Sequence, residues 1–88
     1  MPVHQRRKEI INRLSRIEGH TRALKTMVVE GENTTDILTQ ISAIRSALSR
    51  VGRILIQDDL DACIIEAART GKIPEAMQQL LTAIERFR

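Results

Sequence analysis

The chain has 88 residues, a formal charge of +3, one phenylalanine, no tryptophan or tyrosine, and one cysteine. That length suits one domain near the lower size at which a core is self-sufficient, and an aliphatic core favours packed helices over a sandwich or barrel. One cysteine excludes an internal disulfide framework and a zinc-finger pattern, and points to a reducing compartment.

The N-terminal stretch MPVHQRRKEI is charged and lacks the apolar core of a signal peptide, and no run reaches membrane-spanning length. The expectation is a cytoplasmic protein with no membrane partner. A first helix is expected over about residues 5–30, where Ile10, Leu14, Ile17, Thr21, Leu24 and Val28 recur at steps of four and three. Gly31 stands at a plausible C′ position. This segment is the basic part of the chain: Arg6, Arg7, Lys8, Arg13, Arg16, Arg22 and Lys25 face only Glu9, Glu18 and Glu30 within residues 1–30. Residues 31–70 carry four arginines against six acids. A basic third beside an acidic middle suggests a polyanion-binding face.

The segment ENTTD then offers Asn33, Thr34 or Thr35 as N-cap, with Asp36 in the favourable first turn of a second helix. That helix is expected over about 35–70, on a stripe of Ile37, Ile41, Ile44, Leu48, Val51 and Leu55 continued by Ala62 and Ile65. Gly52 costs about 1 kcal/mol of helix propensity without breaking it, and Gly71 is the next stop. Pro74 is acceptable in the first turn of a third helix over about 74–87, whose stripe is Met77, Leu80 or Leu81, Ile84 and Phe87.

The middle helix bears on the architecture. At ~1.5 Å per residue it would extend roughly 54 Å, whereas a compact chain of this length is roughly 30 Å across. Either it kinks at Gly52 or a second copy covers its apolar stripe. The sustained four-three spacing favours the second option, an antiparallel helical dimer or higher assembly.

The segments NRLSRIEGHTRALKTMV (12–28) and DILTQISAIRSAL (36–48) resemble the CsoR/RcnR family of bacterial metal- and thiol-responsive repressors, and the likeness runs ungapped from about residue 8 to residue 88. The resemblance implies an all-α, three-helix subunit, an antiparallel homodimer, a disc-like homotetramer, and a repressor that binds double-stranded operator DNA without a helix-turn-helix. Arg13 and Arg50, with Arg53 a turn further on, match basic positions that the family uses for DNA. The residues support this independently. Arg13 and Arg16 share a helix face, as do Arg50 and Arg53, and Arg22 and Arg45 extend the series. Without Tyr or Trp a base-stacking platform is disfavoured, leaving duplex backbone and shape as the expected target.

Copper-sensing members use a cysteine early in the second helix, then a histidine and a second cysteine near its end. Those positions read Thr34, Asp59 and Cys63 here, and the outer-shell tyrosine and glutamate read Asn33 and Gln79. A thiolate, a carboxylate and a hydroxyl make a poor Cu(I) set. Nickel or cobalt sensing uses several histidines, but only His4 and His20 exist and neither falls on a matching position. Persulfide sensing needs two cysteines. Formaldehyde sensing joins an N-terminal proline, present as Pro2, to the early cysteine that Thr34 replaces.

The remaining effector readings are a divalent ion such as zinc held by Cys63, Asp59 and His4, or a single-thiol sensor at Cys63. Against both stands a plain structural role for Cys63 as a small apolar side chain. His20 reads as a surface residue beside Gly19, and His4 as a tail residue. There is no Gly-rich phosphate loop, nucleophile–base arrangement or paired-carboxylate signature, so an enzyme is not expected. The leading expectation is a repressor released by an effector near Cys63. The alternative is a helical oligomerisation protein that keeps the scaffold and has lost DNA binding or sensing.

Overall fold

A computed structural model describes residues 6–88. Three helices follow one another, α1 (Arg7–Val29), α2 (Thr34–Thr70) and α3 (Glu75–Phe87), with no strand among the described residues. The all-α, three-helix expectation holds, with ends within two residues of those read from the sequence.

Each boundary has a local cause. Gly31 closes α1 with a φ of 73°, in the left-handed region where a side chain is penalised. Its N–H donates to the Val28 carbonyl, and the N–H of Glu32 donates to that of Met27. Asn33 is the residue that caps α2: its Oδ1 accepts the Asp36 N–H at 2.9 Å, and its Nδ2 donates to Asp36 Oδ2 at 3.0 Å. Of the three cap candidates the asparagine wins because its amide accepts and donates at once, locking Asp36 into the first turn. Asn33→Ala is expected to cost about 1 kcal/mol of stability, read as a lower urea midpoint with an unchanged slope. An unchanged midpoint would show that the cap is dispensable.

Gly71, at φ 76°, ends α2. Pro74 precedes α3 in extended conformation, at φ −61° and ψ 147°, and so stands at its N-cap, one position before the first turn.

The chain packs as two units, one containing Gly52–Arg88 and the other Lys8–Val51. Helix α2 runs through both, and its helical hydrogen bonding is unbroken at Gly52. In the Lys8–Val51 unit, Ile10, Ile44 and Val51 are buried; in the other, Ile54 and Cys63 are. Several stripe positions read as core are exposed in the single chain, namely Leu14, Val28, Leu48, Ile65 and Phe87. Leu80 is half-buried and Leu81 exposed, which settles the α3 register. The periodicity was right about the helices, but a correct period does not say whether a face packs against its own chain or awaits another.

Candidate functional site

The six arginines singled out from the sequence fall on two helices: Arg13, Arg16 and Arg22 on α1, and Arg45, Arg50 and Arg53 on α2. They are not equivalent. Arg13 is partly buried and its Nε lies 4.0 Å from Glu9 Oε2 one turn away, so part of its charge is already answered. Arg16, Arg22, Arg45 and Arg50 are exposed, and no ion pair engages them among the described residues. Arg53 is also exposed. Exposed guanidinium groups without acidic partners keep their charge and N–H donors free for phosphate oxygens.

The second candidate region lies in the Gly52–Arg88 unit. Cys63 is buried, at 7% exposure, and is a free thiol. It lines a cavity of about 710 Å³ between α2 and α3, with Asp59, Ala62 and Glu66 from α2. The opposite wall is Pro74, Ala76, Gln79, Leu80 and Ala83. The helix period explains the α2 wall, because residues 59, 62, 63 and 66 are spaced three and four apart and share one face.

Two acids of α2 close to Cys63 are engaged by other side chains. Asp61 accepts a hydrogen bond from Gln57 Nε2 at 2.9 Å and does not line the cavity. Glu66 does line it but is held by Arg69, whose Nη2 donates to Oε1 at 2.6 Å and Nε to Oε2 at 3.3 Å. That hydrogen bond, with the charge behind it, raises the Arg69 pKa above its ordinary value.

The sequence-derived effector set is therefore only partly assembled. Asp59 and Cys63 meet at one wall. Thr34 opens α2 in the other unit and is not among the cavity residues. His4 lies outside the described residues. Among the described residues no three His, Cys, Asp or Glu side chains are placed to hold a metal ion together. The described donors of one chain do not make a complete metal site.

Two contacts were missed from the sequence. His20 is half-buried, not a plain surface residue, and its Nε2 donates to Gln40 Oε1 at 2.6 Å, tying α1 to α2 inside the Lys8–Val51 unit. Only the placement of His20 opposite a polar residue on the next helix could have signalled it. The other is at Gly52, where a Cβ would run into the Phe87 ring, Cε2 at 3.0 Å and two ring carbons nearer still. Gly52 thus serves as the seat of an aromatic side chain, a role that explains its cost in helix propensity.

Residues 6–86 match the family model described as "Metal-sensitive transcriptional repressor". The chain is 37% identical over 79 residues to the copper-sensing transcriptional repressor CsoR of Bacillus subtilis (strain 168), covering 90% of this chain and 78% of that protein. It is 37% identical over 67 residues to the copper-sensing transcriptional repressor RicR of Mycobacterium tuberculosis (strain ATCC 25618 / H37Rv), covering 76% and 70% respectively. Among solved structures, the nickel-responsive transcriptional regulator InrS superposes with a TM-score of 0.86 at 40% identity, over 100% of this chain and 99% of that one. The copper-sensing repressor CsoR with Cu(I) from Geobacillus thermodenitrificans NG80-2 superposes at 0.85 and 35% identity, over 99% and 92%. These relatives are transcriptional regulators and not enzymes, as the sequence led us to expect.

Proposed function

The chain belongs to the family of metal-sensitive transcriptional repressors, and from that premise we propose that copies of it assemble on double-stranded operator DNA and release it when an effector acts at the Cys63 cavity. The observation that carries the DNA reading is the set of exposed arginines on α1 and α2, of which Arg16, Arg22, Arg45 and Arg50 have no acidic partner among the described residues. Arg13 and Arg53 are proposed as further phosphate contacts. Phosphate oxygens would satisfy these guanidinium groups, and the released counterions make such binding steeply salt-dependent.

Assembly follows from the exposed apolar residues. Burying Leu14, Leu38, Leu48 and Ile65 needs more surface than one chain supplies, and an antiparallel homodimer, paired into a homotetramer, provides it. At the effector site Cys63 and Asp59 supply one thiol and one carboxylate. A divalent ion such as zinc takes four ligands, so Thr34 of a second copy, His4 or water would complete the set. The copper and nickel responses named for the relatives belong to those proteins. The compartment proposed is the cytoplasm, where such a regulator meets DNA; no helix among the described residues is long and apolar enough to cross a membrane.

Titrating a fluorescent duplex from the chain's own upstream region at low and raised salt tests the core of this reading. Tight binding that weakens with salt is expected. No binding at low salt would replace the repressor with the oligomerisation scaffold. Elemental analysis of the wild type and of Cys63→Ser then identifies the effector chemistry. Stoichiometric metal that is lost in Cys63→Ser supports a metal site, whereas metal-free protein with an unreactive thiol assigns Cys63 to packing.

A further inference from the structure

The Cys63 cavity is larger than its metal-capable donors explain. It measures about 710 Å³ and lies wholly within the Gly52–Arg88 unit. A metal ion would use only the corner at Asp59 and Cys63, and no group of three donors forms there or elsewhere among the described residues. Most of the remaining wall is apolar, with Ala62 on α2 and Pro74, Ala76, Leu80 and Ala83 on the α3 side. The space has a local cause. Helix α3 is tied to α2 at one end by the turn at Gly71 and at the other by the Phe87 ring seated on Gly52. Between the two ties the facing side chains include three alanines, too short to fill the gap. Ala76, Gln79 and Ala83 are exposed, so the cavity is open along α3 and a ligand has a way in.

Charge narrows the class of ligand. The lining carries two carboxylates, Asp59 and Glu66, and no lysine, arginine or histidine. The two stand seven residues apart on α2 and so share one wall, opposite the apolar wall of α3. Glu66 is engaged by Arg69, which lies outside the lining. An anion would be repelled by this wall, and a neutral molecule would gain burial alone. A cation with an apolar body gains at both walls, by charge-assisted contact on one and by burial on the other. A volume within roughly 300–1,000 Å³ is that of a small-molecule site.

We infer that the effector of this cavity is a small organic cation with an apolar body, its ammonium group towards Asp59 and Glu66 and its hydrocarbon against α3. This rests on the proposal that the effector acts at the Cys63 cavity, and it assigns that effector to a class other than a metal ion. Cys63 is then part of the apolar wall.

The test is isothermal titration calorimetry on the chelator-treated full chain without DNA, using three probes of one shape. These are phenylbutylamine, cationic at neutral pH, the neutral phenylbutanol, and the anionic phenylbutyrate. The amine is expected to bind about tenfold tighter than the alcohol, the difference one charge-assisted contact makes, and the butyrate to bind weakest. Asp59→Asn should bring the amine towards the alcohol, whose own binding reports that the cavity is intact. Ala83→Leu, which fills the space, should weaken all three probes. In a duplex titration the amine, and not the butyrate, should release the operator. Equal affinities for amine and butyrate overturn the inference, as does an amine preference that survives Asp59→Asn and Glu66→Gln combined. Amine binding that leaves the duplex bound also overturns it, since the cavity would then not be the switch. Salt-dependent duplex binding with no probe bound sinks the inference alone and leaves the repressor reading standing. If the wild type binds no duplex yet binds the probes in the expected order, the repressor reading falls while the ligand class of the cavity stands.

Discussion

Operator affinity of the wild-type assembly is expected to fall about a thousandfold between 50 and 200 mM salt, if roughly six phosphates are contacted. Two copies, each offering at least three exposed arginines, supply that number. Arg50→Gln should remove one contact per copy and flatten the slope by about 1.8 for a pair. Arg50→Lys should restore most of the slope, because the charge is kept and only the planar fork is lost. Arg13→Gln should do less than Arg50→Gln: Arg13 is half-buried and faces Glu9 at 4.0 Å, so part of its charge is already answered and less of it is available to a phosphate. Equal effects at both positions would show that the Glu9 pair opens on DNA. A shifted elution volume in Arg50→Gln would instead make that arginine structural.

Much of this was legible in the residues, and the limits of that legibility have physical causes. Helix period and stop signals are local, so Gly31 and Gly71 could be read within a few residues, whereas the cap of α2 stayed open among Asn33, Thr34 and Thr35 until the structure showed Asn33 bonded to Asp36. The arginines were legible as a charge series, but not their ranking, because the Glu9–Arg13 pairing competes with many other rotamers that a sequence does not order. Gly52 shows the clearest gap. Its local signature is a helix-propensity cost, whereas its reason is an aromatic ring 35 positions later that needs bare backbone. Asp58, Asp59 and Asp61 all stand within five residues of Cys63 in the sequence. A helix scatters contiguous residues around its axis, so Asp59 and Cys63 share a wall while Asp61 turns to Gln57.

The largest effect on assembly is expected at Leu48. It belongs to the α2 stripe at four-three spacing with Ile44 and Val51, yet it is 46% exposed while those two neighbours are buried at 9% and 4%. An apolar residue on the buried stripe that its own chain leaves half in water is what an isologous interface would cover. In a symmetric pair Leu48→Glu acts twice. Covering the exposed half of two leucines contributes about 1.5–3 kcal/mol, so losing it raises the dissociation constant by roughly one to two decades. Each glutamate left in an apolar contact adds a desolvation penalty. Sedimentation equilibrium should therefore find Leu48→Glu as single chains at concentrations where the wild type is assembled. Ser46→Glu, two residues earlier on a different face of α2, should keep the wild-type mass. If Leu48→Glu sediments like the wild type, the exposed face of α2 is not the assembly surface. Dissociation without loss of salt-dependent DNA binding would show instead that one chain's arginines suffice, removing the reason to expect an obligate oligomer.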